Sequence, residues 1–252
     1  MIEPEVTLST KIMMRVDSLL RHALPGHCAF CLGTAERGAP WCEPCLMALP
    51  WNLPACPRCA EPMAAGVIEV ANVCGACLRH PPSFARARVP LRYQGDVAIL
   101  VQRFKFSASP RAGTLLLTLL ETALRSELDQ PVDSGTAWPQ ALVSVPLHFR
   151  RARQRGFDQA DWLTRRLARH LGVPCHGARR LRMTPTQRGL KREERQANLR
   201  HAFEVRGPLP SRVALVDDVM TTGATLEALA QACLAAGADE VEAWAVARTP
   251  KG

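Results

Sequence analysis

Aromatic side chains are scarce in this chain, with one Tyr, seven Phe and five Trp among 252 residues. A surface that stacks a run of nucleobases on successive aromatics is therefore not expected. Long apolar runs are missing too: although 47% of the residues are hydrophobic, no stretch reaches the roughly 18 residues of a spanning helix. That content suffices for a core, so one large domain, or a domain with a smaller module attached, is expected. The N-terminus lacks the basic-then-apolar order of a secretory signal. Glu3 and Glu5 precede any basic residue, and Lys11, Arg15 and Asp17 interrupt the apolar positions. A cytoplasmic protein without a membrane span is expected.

Acidic residues are also in short supply, 23 against 32 Lys and Arg, and the deficit is local. Residues 141–206 hold 16 of the basic residues and only five acids (Asp158, Asp161, Glu193, Glu194 and Glu204). The balance there is +11, which leaves the remainder of a +9 chain at −2. Such a tract points to a polyanion, either a pyrophosphate or a nucleic-acid backbone.

Cysteine is the residue in surplus. Eight of the ten form four C-x-x-C pairs, Cys28/Cys31, Cys42/Cys45, Cys56/Cys59 and Cys74/Cys77. Two thiolates at this spacing curl onto one tetrahedral metal, and two pairs complete a four-cysteine site. Without a secretory signal, structural disulfides are not expected to persist, and a redox site needs one such pair beside a βαβ unit. The expected cofactor is therefore two structural Zn2+ ions. Consecutive pairing leaves loops of ten residues (Cys31 to Cys42) and fourteen (Cys59 to Cys74), and an interleaved cross-brace stays open. The region lacks apolar periodicity, so the metal is expected to supply most of its folding energy. Cys175 and Cys233 are isolated and read as buried thiols.

Upstream, Ile12, Met13, Val16, Leu19, Leu20 and Ala23 have the spacing of an amphipathic helix. Downstream of His80-Pro81-Pro82, "RVPLRYQG" reads as a strand into a turn, followed by a helix through about Phe106. A helix over 111–128 puts Leu115, Leu116, Leu119, Leu120, Ala123 and Leu124 on one face. Strand 141–145, helix 157–171, a connector, strand 212–217, helix 224–236 and strand 240–247 complete the reading. This alternation argues for a parallel α/β sheet with a ligand at the carboxyl ends of its strands.

The sharpest signal is "VALVDDVMTTGATLEAL", residues 213–229. An apolar run, Val213 to Val216, reads as a strand covered on both faces. Asp217 and Asp218 follow, then Thr221, Thr222, Gly223, Ala224 and Thr225 at a helix start. Small hydroxyl residues around a glycine, with the helix dipole, form a cradle for phosphate. Carboxylates beside it repel that phosphate but accept hydrogen bonds from vicinal hydroxyls or help hold a hydrated divalent cation. A sugar phosphate has both features. The stretch resembles the phosphoribosyl pyrophosphate (PRPP) motif of type I phosphoribosyltransferases. That resemblance implies Asp217 and Asp218 on the ribose hydroxyls and residues 221–225 on the 5′-phosphate.

"PLHFRRARQRGFDQA", residues 146–160, follows strand 141–145. A neighbouring parallel strand delivers this loop to the same sheet edge and brings Arg150, Arg151, Arg153 and Arg155 near the cradle. The resemblance implies a pyrophosphate loop here, including Pro146, Leu147, Arg150 and Arg155. By composition "MTPTQRGLKREERQANLR", residues 183–200, is an exposed helix. The resemblance instead implies a flexible loop that closes over PRPP, with Gln187, Arg192 and Arg195.

Together with "RFKFSASPR" at 103–111 and the tandem C-x-x-C pairs, these motifs resemble the ComF (ComFC) family over nearly the whole chain from Cys28. Asp158 stands where the family pattern has Asn. Three parts are expected: the N-terminal amphipathic helix, 1–25, read from its spacing; a double zinc-ribbon module, 26–82; and, as the resemblance implies, a type I phosphoribosyltransferase-like α/β domain, 83–252. It further implies PRPP with Mg2+, single-stranded DNA taken up in natural transformation, and partners of the ComFA helicase and DprA types. No base-binding hood is recognisable, and two readings stay open. One is a DNA-handling protein that retains a PRPP site; the other is an active phosphoribosyltransferase of nucleotide metabolism or salvage with no DNA role. On either reading the zinc module stands apart from the PRPP site, which should survive loss of Cys59.

Overall fold

The computed structural model describes residues 26–36, 38–64, 73–128, 138–147, 156–181 and 202–250. The expected helix within 1–25, the loop arginines Arg150, Arg151, Arg153 and Arg155, and the tract 183–200 with Gln187, Arg192 and Arg195 lie outside the described residues. In chain order the elements are α1 (Glu43–Met47), α2 (Gly75–Arg79), β1 (Arg86–Arg88), β2 (Leu91–Arg92), α3 (Gly95–Phe106), α4 (Pro110–Leu128) and β3 (Ala141–Ser144). There follow α5 (Gln159–Leu171), β4 (Cys175–His176), β5 (Ala178–Arg180), β6 (Phe203–Val205), β7 (Arg212–Met220), α6 (Ala224–Ala235) and β8 (Glu240–Arg248).

The chain divides into two compact units, one of Met1–Pro50 with Gln94–Leu116 and the other of Trp51–Tyr93 with Leu117–Gly252. In the first unit α3 buries Val97, Leu100, Val101 and Phe104, the i, i+3, i+4, i+7 stripe of an amphipathic helix. Helix α4 begins there and ends in the second unit, and the leucine face read from its sequence is the buried one. Among the described residues no helix is long and apolar enough to cross a membrane.

The second unit is built on a sheet ordered β1, β8, β7, β3, β4, with β2 also on β8 and every pairing parallel. Alternate residues of a strand point to opposite faces. Val213 and Leu215 of β7, Ala141 and Val143 of β3, and Ala243 and Ala245 of β8 enter one core with Leu226, Leu229, Ala230 and Cys233 of α6. Their neighbours Leu142, Ala214, Val216, Trp244 and Val246 are equally buried on the other face. Burial on both faces is what turns these strands into continuous apolar runs. Helix α6 packs against β6, β7 and β8, and α5 packs against β3, β4 and β7.

Three features depart from the sequence reading. "RVPLRYQG" forms two short strands, because Val89-Pro90 interrupts the pairing with β8 and proline has no N–H to donate. The stretch read as a connector contains β4 and the antiparallel pair β5–β6, whose two or three residues per strand are too few to show a period. Strand β7 runs three residues past the 217 read from the sequence, to Met220, so Asp218 as well as Asp217 lies within it; pairing with Ala245, Ala247 and Arg248 carries it that far.

Between the edge strand β1 and its neighbour β8, Arg88 Nε donates to Glu242 Oε2 at 2.9 Å, and Trp244 Nε1 donates to the same oxygen at 2.8 Å. Arg88 and Glu242 are 4% and 8% exposed. Removing one partner of a buried charge pair costs more than removing both, since the survivor loses water and partner alike. Glu242→Ala is therefore expected to lower unfolding free energy by about 3 to 5 kcal/mol, read from urea denaturation. Combining it with Arg88→Met should recover part of that loss; additive losses would contradict the pairing.

Candidate functional site

The eight knuckle cysteines gather as two clusters, Cys28, Cys31, Cys42 and Cys45 in the first unit and Cys56, Cys59, Cys74 and Cys77 in the second. Pairing is thus consecutive, which settles the choice against a cross-brace. Within each cluster all sulfurs lie within 4.8 Å of one another, with Cys31 to Cys42 at 3.7 Å and Cys59 to Cys74 at 3.6 Å. Sulfurs placed tetrahedrally at about 2.3 Å from zinc stand about 3.8 Å apart, so both clusters fit the ion.

The two clusters repeat one local design. In each, the first C-x-x-C closes a turn: Leu32 N donates to Cys28 O at 3.0 Å, and Ala60 N to Cys56 O at 2.7 Å. The residue after the second cysteine is left-handed in both, Leu32 at φ 62° and Ala60 at φ 53°. The second C-x-x-C opens a short helix, α1 after Cys42 and α2 after Cys74. Backbone N–H groups converge on sulfur, as at Phe30 on Cys28 (3.4 Å), Gly33 on Cys31 (3.4 Å) and Cys74 on Cys56 (3.3 Å). Burial works against a Cys28 thiolate, yet the N–H groups of Cys31, Cys42 and Phe30 bring it down to about 6. The Cys59 thiol, aided by the Cys74, Cys59 and Arg58 amides and opposed by burial, holds Cys56 at about 4. Cys45 and Cys77 in the same clusters are pushed the other way, to about 12 and about 11; the thiolate is the form that binds metal, so binding releases their protons.

The second cluster is anchored to the sheet. Ala87 N of β1 donates to Pro57 O at 3.0 Å, and the buried Asn52 amide reaches Ala60 O at 2.9 Å and Val89 O at 3.0 Å. Arg248, at the end of β8 and 0% exposed, donates from Nε to Cys59 O at 3.3 Å and from Nη2 to Glu61 Oε2 at 2.5 Å. The separation expected between the zinc module and the turn that follows β7 does not hold here. The same guanidinium donates from Nη1 to Met220 O at 3.1 Å and to Thr221 O.

Strand β7 delivers Asp217, partly exposed, and Asp218, 6% exposed, to the carboxyl edge of the sheet. Asp218 N donates to Asp217 Oδ1 at 2.8 Å. The chain then leaves the strand at Thr221 and Thr222, both exposed, and turns at Gly223, φ +78°, a left-handed conformation that suits glycine. Gly223 is the N-cap of α6 and offers no capping side chain, and among the described residues only the Ala224 N–H is taken locally, by Thr222 Oγ1 at 3.4 Å. The N-terminus therefore presents amides and the positive dipole end beside the Thr221, Thr222 and Thr225 hydroxyls.

β3 lies next to β7 and parallel to it, with Val145 N donating to Val216 O at 3.0 Å, so Pro146 and Leu147 emerge at the same edge. Asp158 holds that emerging chain. Its Oδ2 accepts from Leu147 N at 2.8 Å while its Oδ1 caps α5 by accepting from Asp161 N at 3.1 Å. Burial raises the Asp158 carboxyl, offset in part by those two amides. The sequence marked Asp158 only as a departure from a pattern and passed over Arg248, Asn52 and Glu61. An arginine closing an apolar strand has no signature that separates it from a solvent contact. Of the isolated thiols, Cys233 is buried as expected and is pushed up to about 12 by that burial. Cys175 is exposed, contrary to expectation, because β4 is a two-residue edge strand.

Metal analysis of washed protein is expected to give two zinc ions per chain. Thiol titration of that native protein should find only Cys175 reactive. Ten free thiols and no zinc would exclude the metal assignment.

A family model for the double zinc ribbon domain matches residues 19–78. Competence protein F of Haemophilus influenzae is 34% identical over 228 residues, 88% of this chain and 95% of that protein. DNA utilization protein YhgH is 34% identical over 232 residues in Salmonella typhimurium, covering 90% of this chain and 98% of the relative. The Escherichia coli K12 protein of that name is 34% identical over 231 residues with the same coverages. Solved phosphoribosyltransferases are more distant. The purine enzyme of Pyrococcus horikoshii is 17% identical and covers 56% of this chain and 85% of its own at a TM-score of 0.33. The adenine enzyme of Saccharomyces cerevisiae is 18% identical and covers 57% and 72% at 0.36. One third of positions shared along nearly the full length of both partners leaves one conclusion: the chain belongs to the ComF family, that of competence protein F and DNA utilization protein YhgH.

Proposed function

We propose that the edge of the sheet between β3 and β7 binds PRPP, and that the protein uses this site while handling single-stranded DNA in the cytoplasm. The observation that carries the first half is the carboxylate pair on β7 followed, five residues after Asp218, by the left-handed Gly223 at a helix N-terminus whose N-cap has no side chain. Acceptors for a diol and donors for a phosphate then lie in the order in which a ribose 5-phosphate presents them. Asp217 and Asp218 take the ribose hydroxyls, and residues 221–225 take the 5′-phosphate. Pro146 and Leu147, pinned by Asp158, begin the loop that faces the pyrophosphate. Mg2+ neutralises that pyrophosphate when PRPP is bound, and the aspartates are oxygen donors of the hard type it accepts.

The names of the relatives, competence protein F and DNA utilization protein, support the DNA role. So does the +11 balance of residues 141–206, which suits a phosphate backbone. Helicases of the ComFA type and loaders of the DprA type are the partners this role calls for. If nucleobases instead drive pyrophosphate release from PRPP, the salvage reading replaces it.

Calorimetry with PRPP and Mg2+ tests the first half. Each charge-assisted hydrogen bond lost costs about 1.5 to 3 kcal/mol. Asp217→Asn with Asp218→Asn should therefore weaken binding at least about tenfold while the circular dichroism spectrum is unchanged. Equal affinity would remove the aspartates from the site.

For DNA, about four to six phosphate contacts predict a slope of log affinity against log salt of roughly −3 to −4, with weak sequence preference. Salt-independent binding, or binding that survives Arg150, Arg151, Arg153 and Arg155 all becoming Ala, would place the DNA contact elsewhere.

A further inference from the structure

We infer that the second zinc cluster sets the geometry of the phosphate loop, with Arg248 as the positioning residue between them. The functional consequence, that zinc at this cluster tunes affinity for a phosphate ligand, rests on the PRPP reading; the mechanical link does not.

A guanidinium has five N–H donors in a rigid plane and no way to shed its charge, so a buried one needs acceptors around its rim. Arg248 finds them in two groups. On one side are the carbonyl of Cys59, itself a metal ligand, and the carboxylate of Glu61 two residues on. On the other are the carbonyls of Met220, the last residue of β7, and Thr221, the first of the loop, with Thr249 O at 2.7 Å. A planar cation spans the two groups without a flexible joint.

The position of the first group depends on metal. Cys59 O and Glu61 belong to the turn that the Cys56 and Cys59 sulfurs close, where Cys56 N donates to Glu61 O at 2.9 Å. Of this turn Ala60 reaches the sheet core and the Pro57 and Ala60 carbonyls are bonded to Ala87 and Asn52, but the cluster's own buried core is three cysteines with Met63 and Val73 packed against them, too little apolar surface to fix the Cys59 and Glu61 end of the turn by burial. Without zinc the turn relaxes and Arg248 loses acceptors on that side. The buried cation then follows whichever partners remain or draws in water, and the Met220 and Thr221 carbonyls lose their donor. Residues 221–225, otherwise exposed or half-exposed, lose their fixed starting point. Linkage makes the effect reciprocal: a ligand that holds the loop also holds the knuckle.

The experiment compares amide hydrogen exchange over residues 220–226 in the full-length wild type, Cys74→Ser and Cys31→Ser. Cys74 lies on the far limb of the second cluster and does not touch Arg248 through its backbone; Cys31 belongs to the first cluster. Exchange of the loop is expected to rise about tenfold or more in Cys74→Ser, the scale of one lost charged hydrogen bond, and to stay at the wild-type rate in Cys31→Ser. An unchanged loop in Cys74→Ser, or an equal rise in both variants, overturns the inference. Should Cys74→Ser fail to fold, Glu61→Gln decides. It keeps shape and zinc content but gives Nη2 a neutral acceptor, and faster loop exchange supports the link while wild-type exchange refutes it. Zinc release to a chromogenic chelator supplies the reciprocal arm. PRPP should slow release from one of the two sites, and equal slowing at both, or at neither while PRPP binds, counts against coupling. If wild type binds no PRPP, the functional proposal fails and the exchange measurements still judge the link.

Discussion

A parallel strand buried on both faces can place polar side chains usefully only at its carboxyl end, and the site follows from that constraint. β7 sits between β3 and β8 with apolar cover above and below, so through Val216 it tolerates no charge. Where the cover thins, Asp217 and Asp218 appear, and their backbone is still held by β8 through Asp217↔Ala245 and Val219↔Ala247. The carboxylates are thereby fixed by the ladder of a central strand, which is stiffer than a loop and costs no further ordering when a ligand arrives. The Thr-rich turn beyond needs the opposite property: exposed donors and one residue at positive φ, and it has both.

The small cysteine clusters solve a different problem. Fifty residues of Pro-rich, aperiodic chain cannot bury enough apolar surface to offset backbone ordering at about 1 to 2 kcal/mol per residue. Metal bonds replace that missing core. The two clusters share their knuckle geometry but belong to different units, and the second is tied to the sheet of its own unit by Asn52, Ala87 and Arg248.

Legibility in the sequence tracked periodicity and local spacing. C-x-x-C pairs, the apolar run of 213–216 and the leucine face of α4 are local patterns, and each is found in the structure as read. The length of β7 was not legible: Asp217, Asp218 and Val219 break the apolar run, yet the partner strand β8 stays regular through Ala247 and holds them in register. Strands β4, β5 and β6 were invisible because two or three residues carry no period, and their pairings are set by chain segments far apart in sequence. Buried polar residues were the least legible of all. Arg248 and Asn52 acquire meaning only from carbonyls 189 and 37 residues away.

Asp158 shows what such a residue adds to a site it need not touch. Both of its oxygens accept from backbone N–H groups, one at the start of α5 and one at Leu147. An asparagine in its place has one acceptor oxygen and one donor nitrogen, so it can cap the helix or hold Leu147 but must turn an N–H toward the other amide. The carboxylate thus couples two events that an amide would have to choose between: where α5 begins and where the chain leaving β3 points. Arg248 does the same on the opposite side of β7 with the charge reversed, gathering carbonyls where Asp158 gathers amides. The turn at residues 221–225 is framed by these two ions. Each satisfies backbone groups that helix and sheet leave over at their ends, and each thereby converts loose strand ends into fixed geometry.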